Sequence, residues 1–200
     1  QKKTVHCPSF RSQIVFKVPC PISFRSEVNH LVSIDKENRT NNPQNNIKGI
    51  HVGGTNGKGS TVAYLRTALV ENGYDIGTFT SPFIEIFNER ISLNGYPISN
   101  DEIVELVTRV KPISEALEVE TELGNATEFE IITTMMFLYF GEVHPVDFVI
   151  VEAGLGIKND STNVFNPIMS ILKIYTMQTH AHTFSLEISS SFSMIDTKSG

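Results

Sequence analysis

The sequence is 200 residues long, and its composition, 40% apolar and 19% charged, is that of a globular chain with enough material for one hydrophobic core. The formal net charge of −6 and the pI near 5.5 argue against a broad surface for nucleic acid or anionic membrane, because such surfaces need basic patches. A phosphate ligand would therefore depend on local backbone donors and single cationic side chains.

The cysteines and the apolar runs bear on the cellular setting. Cys7 and Cys20 show neither metal-site spacing nor the density of a disulfide scaffold, so a reducing compartment is expected. The first residues lack the apolar core of a signal peptide, and the longest apolar-rich run, Ile131–Phe140, is too short to cross a bilayer. We expect a soluble, cytoplasmic protein with no membrane partner.

Residues 1–46 form a poorly patterned N-terminal segment. Gln13–Val18 is compatible with a short strand, but prolines and an Asn-rich stretch over 40–46 interrupt any longer element.

A glycine-rich turn follows this segment. Ile47–Val52 has the β-branched residues of a buried strand, and apolar residues recur at helical spacing after Gly53–Ser60 until Gly73 ends the run. Glycines in such a turn let backbone N–H groups close around an anion, and the helix N-terminus adds positive potential. Lys58 can reach the terminal phosphates, so the pattern predicts a nucleotide-binding loop.

The match to the general P-loop pattern is imperfect. Val52 stands where that pattern has its first Gly, and Gly59 stands where it has Ser or Thr. An ordinary Gly-rich turn is the alternative interpretation. The candidate nucleotide-binding residues are Gly54, Thr55, Asn56, Gly57, Lys58, Gly59, Ser60 and Thr61.

The next elements are a strand, a hairpin and a helix. Ile76–Thr80 predicts a second buried strand, and Asn94-Gly95 predicts a tight turn between two short strands. Ser99 begins a capping box that opens a helix ending at Pro112. The acidic stretch Ile113–Asn125 is expected to be an exposed connection.

A buried helix and two further strands complete the pattern. Thr127 opens a second capping box before an almost continuously apolar helix, and Pro167–Leu172 predicts the last strand. Asp147–Val151 predicts a buried strand that leads into Glu152. A carboxylate at the C-terminal end of a parallel strand lies where such sheets bind ligands, and it suits Mg²⁺; a capping or ion-paired Glu152 is the alternative. The predicted fold class is α/β, with a mostly parallel sheet flanked by helices.

Several ordered motifs resemble one family. Gly54–Ser60 resembles the ATP loop of the folylpolyglutamate synthase and dihydrofolate synthase family, a branch of the Mur-ligase-like amide ligases. Thr80-Ser81-Pro82-Phe83 with Phe87-Asn88-Glu89-Arg90-Ile91, Glu152-Ala153-Gly154-Leu155-Gly156 and Asn159–Val164 resemble later family motifs. The resemblance covers roughly 47–172 and implies a Mur-ligase-type ATPase domain there, with 173–200 as a divergent tail of that domain.

The resemblance also implies cofactors and site residues. ATP and Mg²⁺ are the implied cofactors, with Lys58 on the phosphates and Ser81 and Glu152 on the metal. Thr127, Phe129 and Asp160 match positions on the pterin side. The family's Asp-His pair is absent, and His180 is the nearest candidate for the third metal ligand. Lys198 matches a lysine that is carbamylated at the metal site of family members. The resemblance therefore implies that Lys198 is catalytic.

The implied reaction activates a folate carboxylate as an acyl phosphate, which the amine of glutamate attacks. The implied partners are folate or dihydropteroate and L-glutamate, with a monomeric enzyme and no nucleic acid. Family members are longer and have a C-terminal ligase domain that is absent from this sequence. We therefore expect this chain alone to bind nucleotide but to ligate poorly or not at all.

Three alternatives remain open. A cell-wall Mur-type ligase is disfavoured, since those enzymes typically have Thr where Gly59 stands. A non-catalytic nucleotide-binding fragment or pseudoenzyme is favoured by the altered His region. A generic P-loop NTPase or kinase is disfavoured by the loop spacing and by the lack of a Walker-B Asp on Phe148–Val151.

Overall fold

The structure, a computed structural model, describes residues 12–14, 42–120, 126–154, 160–178 and 181–189. The strands in these ranges are β1 (Ser12–Ile14), β2 (Gly49–Gly54), β3 (Ile76–Phe79), β4 (Ile91–Leu93), β5 (Tyr96–Pro97), β6 (Phe148–Glu152), β7 (Met169–Gln178) and β8 (Ala181–Ser189). The α-helices there are α1 (Lys58–Glu71), α2 (Asn100–Glu120) and α3 (Glu128–Leu138). Short 3-10 turns occupy Pro43–Asn45 and Phe87–Arg90, and a π-helical turn at Tyr139–Val143 extends α3.

These strands form one mixed sheet in the order β1-β8-β7-β2-β6-β3-β4-β5. At its centre β2 pairs in parallel with both β6 and β7, and β6 pairs in parallel with β3. Antiparallel pairing joins β3 to β4, β4 to β5, and β7 to β8. The predicted α/β fold with helices on a mostly parallel sheet is confirmed in its central strands, and the C-terminal ends of β2, β3 and β6 meet at one edge, beside the middle of β7.

The sheet is covered on both faces, because successive residues of a strand point to opposite sides. In β6, Val149 and Val151 pack with α2 and α3, whereas Ile150 packs with Val62 of α1. The helix α3 supplies much of the larger cluster, including the fully buried Phe137. This burial explains why α3 is apolar on nearly every side.

Two predicted boundaries were wrong, namely the C-terminal end of α2 and the start of the connection that follows it. The helix does not end at Pro112 but continues to Glu120, so the expected exposed connection over 113–120 is helical. Pro112 removes one backbone hydrogen bond, but the next residue, Ile113, is 2% exposed and gains burial by staying helical. Residues 121–125 of the expected connection lie outside the described residues.

The last predicted strand was also placed imperfectly. Strand β7 begins at Met169 and runs to Gln178, and the Ser-containing segment Ala181–Ser189 returns beside it as β8. The predicted first strand overlaps β1 at Gln13 and Ile14 and otherwise lies outside the described residues. Among the described helices, none is long and apolar enough to cross a membrane.

Both predicted capping boxes are present, and the one at α3 is the more consequential. The Thr127 hydroxyl donates to the Glu130 carboxylate at 2.7 Å and accepts from the Glu130 N–H at 3.3 Å. The Thr127 N–H donates to the same carboxylate at 2.9 Å. Because α3 carries much of the core, this cap anchors the helix on which the larger cluster depends.

Replacing Thr127 by alanine tests this cap. Thr127→Ala removes the acceptor for the Glu130 N–H, and we expect a loss of about 1 kcal/mol in the free energy of unfolding, measured by urea denaturation. The matched control is Thr67→Ala on α1, where the hydroxyl bonds only within its own exposed helix face. The control should change stability by less than about 0.5 kcal/mol, and equal losses in both variants would contradict the capping role.

Candidate functional site

The glycine-rich turn connects the end of β2 to the start of α1. Gly54 has φ 136° and Gly57 has φ 71°, backbone conformations that glycine adopts readily. A Cβ on Gly54 would overlap the backbone carbonyl of Lys173 on β7, so the close approach of the two chains also requires glycine. The Thr55 N–H donates to that carbonyl at 3.3 Å, which ties the turn to the neighbouring strand.

Lys58 begins α1 and folds back over the turn. Its ammonium group donates to the Gly54 carbonyl at 3.2 Å, while Thr55 and Asn56 remain exposed. The hydroxyl of Thr61 donates to the Gly57 carbonyl at 2.9 Å within the helix, whereas Ser60 is exposed. The turn therefore presents backbone and a cation to solvent at a helix N-terminus, which is the arrangement that binds phosphate.

Glu152 ends β6 beside this turn. It is 4% exposed, and its carboxylate accepts a hydrogen bond from the Ser81 N–H at 3.4 Å. Burial raises the pKa of Glu152, and the Ser81 hydrogen bond and the charge of Lys58 oppose that rise. The structure thus brings together three residues predicted from the sequence, Lys58, Ser81 and Glu152, at the C-terminal edge of the sheet.

A loop from Ser81 to Ile86 borders the same edge. The carboxylate of Glu89 accepts from the N–H groups of Ile84, Glu85 and Ile86 at 2.8, 3.0 and 3.0 Å. These hydrogen bonds lower the pKa of Glu89. The Ser81–Pro82 peptide in this loop is cis.

A cavity of about 430 Å³ opens next to Ser81. Its walls come from the loop after β3, from the start of α3 and from the segment after β6. The lining residues are Ser81, Pro82, Arg90, Phe129, Gly154, Asp160 and Ser161. The cavity is therefore adjacent to the Glu152 carboxylate through Ser81, and it combines a cation, an acid and an aromatic ring.

Asp160 is held at this cavity by a buried network. One of its carboxylate oxygens accepts from the N–H of Thr162 at 3.0 Å and from the Thr162 hydroxyl. That hydroxyl also lies 2.9 Å from the Nε2 of His51 on β2. Burial lowers the pKa of His51 to about 4, and the charge of Asp160 opposes this only partly, so His51 is neutral near pH 7.

Other predicted site residues have different outcomes. Thr127 is exposed and engaged in the α3 cap, whereas Phe129 of the same predicted motif lines the cavity. His180 and Lys198 lie outside the described residues. The described part of the chain gathers no group of three or more His, Cys, Asp or Glu side chains that could hold a metal ion.

Sequence reasoning missed His51, Thr162 and the cavity position of Arg90. A histidine within the apolar run Ile50–Val52 was a usable signal, because a polar residue buried in a strand needs a partner. That partner is 111 positions away, so only the fold identifies it.

Comparison with known proteins agrees with this geometry. No family model matches the chain. It is 57% identical over 134 residues to the dihydrofolate synthase/folylpolyglutamate synthase of Bacillus subtilis, a match that covers 67% of this chain and 31% of that protein. It is 42% identical over 131 residues to the folylpolyglutamate synthase of Lacticaseibacillus casei, covering 66% of this chain and 30% of that protein.

Solved structures are similar over the same part of the chain. A complex described as FPGS-AMPPCP-folate matches with a TM-score of 0.66 and 36% identity, covering 77% of this chain and 35% of that one. The folylpolyglutamate synthase of Thermotoga maritima matches with a TM-score of 0.63 and 40% identity, covering 69% of this chain and 32% of that one. The chain spans about a third of the length of the curated relatives it matches. Through the region that these matches cover, the chain belongs to the folylpolyglutamate synthase and dihydrofolate synthase family.

Proposed function

We propose that this chain is the nucleotide-binding part of an ATP-dependent ligase that joins glutamate to a folate acceptor. The observation that supports this most is the gathering of Lys58, Ser81 and Glu152 beside the Asp160 cavity. A phosphate site and an acceptor cavity side by side are what phosphoryl transfer to a carboxylate requires. The relatives named above as folate ligases support the choice of substrate class.

The nucleotide would lie along the glycine-rich turn. The exposed backbone between Gly54 and Gly57 and the N-terminus of α1 would bind the phosphates, with the ammonium group of Lys58 at the turn. Ser81 and Glu152 would hold Mg²⁺, because hydroxyl and carboxylate oxygens are ligands that Mg²⁺ prefers. A bound magnesium ion would neutralise charge on the phosphates, and water and phosphate oxygens would supply its other ligands.

The acceptor would occupy the cavity with its carboxylate toward Ser81. Transfer of the terminal phosphoryl group to that carboxylate forms an acyl phosphate, and attack by the amine of glutamate releases phosphate and forms the amide. In this proposal Asp160 binds the pterin side, held in place by Thr162 and His51. Thr127 remains a proposed contact on that side, with His180 as a metal ligand and Lys198 as a catalytic group.

The nucleotide site is tested by Lys58→Ala. Loss of the ammonium group removes the charge-assisted contacts to phosphate, and we expect affinity for MgAMPPCP to fall by at least about a hundredfold in calorimetric titration of the purified chain. The control is Lys111→Ala on α2, whose side chain is 68% exposed and far from the turn in sequence. Unchanged binding by the Lys58 variant would refute this site.

The metal site is tested by Glu152→Gln. Because burial raises the pKa of Glu152, the ionised form opposes folding, and this cost is absent at low pH and appears as the pH rises through the raised pKa. In EDTA, the variant should therefore match the wild type near pH 4 and melt at an equal or higher temperature near pH 8. Adding Mg²⁺ should also raise the AMPPCP affinity of the variant at least about tenfold less than it raises that of the wild type.

Glu105→Gln serves as the control for this pair of measurements, since Glu105 is exposed on α2. The control should retain the magnesium effect in full. A Glu152 variant that retains it too would show that the carboxylate does not bind the metal.

A further inference from the structure

The positive charge of the Arg90 side chain has few compensating groups around it among the described residues. Arg90 ends the turn Phe87–Arg90, lines the cavity, and has a side chain only 13% exposed. A buried guanidinium normally has a carboxylate or several acceptors around it, because removing its charge from water is costly. Its surroundings in this structure fall short of that.

The contacts that Arg90 makes are weak. Its ion pair in the described part of the chain is with Glu128 at 3.7 Å, and the Glu128 side chain is 73% exposed. A long ion pair with so exposed a carboxylate contributes little. The Nε of Arg90 is buried and has no hydrogen-bond partner among the described residues. A buried donor without an acceptor is destabilising, so the described residues leave the hydrogen bonding of Arg90 incomplete.

Two aromatic rings lie within cation–π distance of the guanidinium. The Cζ of Arg90 lies 5.2 Å from the ring centre of Phe83 and 5.8 Å from that of Phe87. A cation–π contact involves the charge of the guanidinium and does not use up its N–H donors. The two-pronged edge of a guanidinium matches the two oxygens of a carboxylate.

We propose that Arg90 binds the carboxylate of the acceptor substrate and orients it for phosphoryl transfer. This inference rests on the proposed function, because it assigns a residue to the acceptor of that reaction. A phosphate of the nucleotide has the same oxyanion chemistry and is the competing source. The carboxylate is favoured because Arg90 shares the cavity with Phe129 and Asp160, whereas the glycine-rich turn is not part of its lining in the described residues.

The experiment compares one charged acceptor with one neutral acceptor. Pteroate and its carboxamide differ only in the group that Arg90 would contact, and their affinities are measured by equilibrium dialysis with MgAMPPCP present. The wild-type chain should bind pteroate at least about tenfold more tightly than the carboxamide. In Arg90→Gln this preference should disappear, and Arg90→Lys should retain part of it, since lysine keeps the charge without the fork.

Controls separate this role from a structural one. Arg90→Lys should keep the melting temperature and the MgAMPPCP affinity of the wild type. It therefore provides a folded variant at this position if Arg90→Gln misfolds. Arg66→Gln, at an exposed hydrogen bond to Thr67 on α1, should leave the pteroate preference intact.

Each outcome has a separate meaning. A pteroate preference that survives in Arg90→Gln, or is absent from a wild-type chain that binds MgAMPPCP, would overturn the Arg90 assignment alone. A glutamine variant that loses MgAMPPCP affinity while retaining the preference would assign Arg90 to phosphate instead and overturn the proposal. Failure of the wild-type chain to bind MgAMPPCP would overturn the proposed function itself.

Discussion

The parallel pairing of β2 with β6 and β7 is the constraint on which the rest of the structure depends. In this register Val52 lies opposite Glu152 and Gly54 lies opposite Lys173, so the glycine-rich turn, the acidic end of β6 and the middle of β7 share one edge. Parallel strands present all their C-terminal ends together, and ligands of open α/β sheets bind there. A one-residue slip would turn Glu152 to the other face.

Charge at this edge is arranged at some expense to stability. Glu152 is buried with one long hydrogen bond and the nearby Lys58, and its pKa is raised. Arg90 is buried with an unpartnered Nε in the described part of the chain. His51, by contrast, is kept neutral by burial. Burying the charges of Glu152 and Arg90 costs stability, whereas burying the neutral His51 does not. Charged groups buried at such a cost are typical of a functional site.

The cavity depends on elements from distant parts of the chain. Arg90 comes from the turn after β3, Phe129 from the first turn of α3, and Asp160 from the segment after β6. The carboxylate of Glu89 organises the loop that carries Ser81 by accepting three of its backbone N–H groups. The capping box of α3 likewise fixes the start of the helix at Glu128, one residue before Phe129. Local hydrogen bonds thus determine the shape of a site whose walls are far apart in sequence.

The sequence by itself determined the local elements of this protein. The glycine-rich turn before Lys58, the capping boxes at Ser99 and Thr127 and the apolar strand before Glu152 all depend on neighbouring residues, which can be read directly. Family motifs in the same segments predicted that Lys58, Ser81 and Glu152 lie together.

Only the tertiary structure decided the partners of buried groups. The continuation of α2 past Pro112 depends on what Ile113 packs against, and the return of β8 along β7 depends on pairing across a turn. The contact of His51 with Thr162 spans 111 positions, and the place of Arg90 in the cavity wall follows from the strand order. Such contacts depend on the register and order of strands, and no short stretch of sequence contains that information.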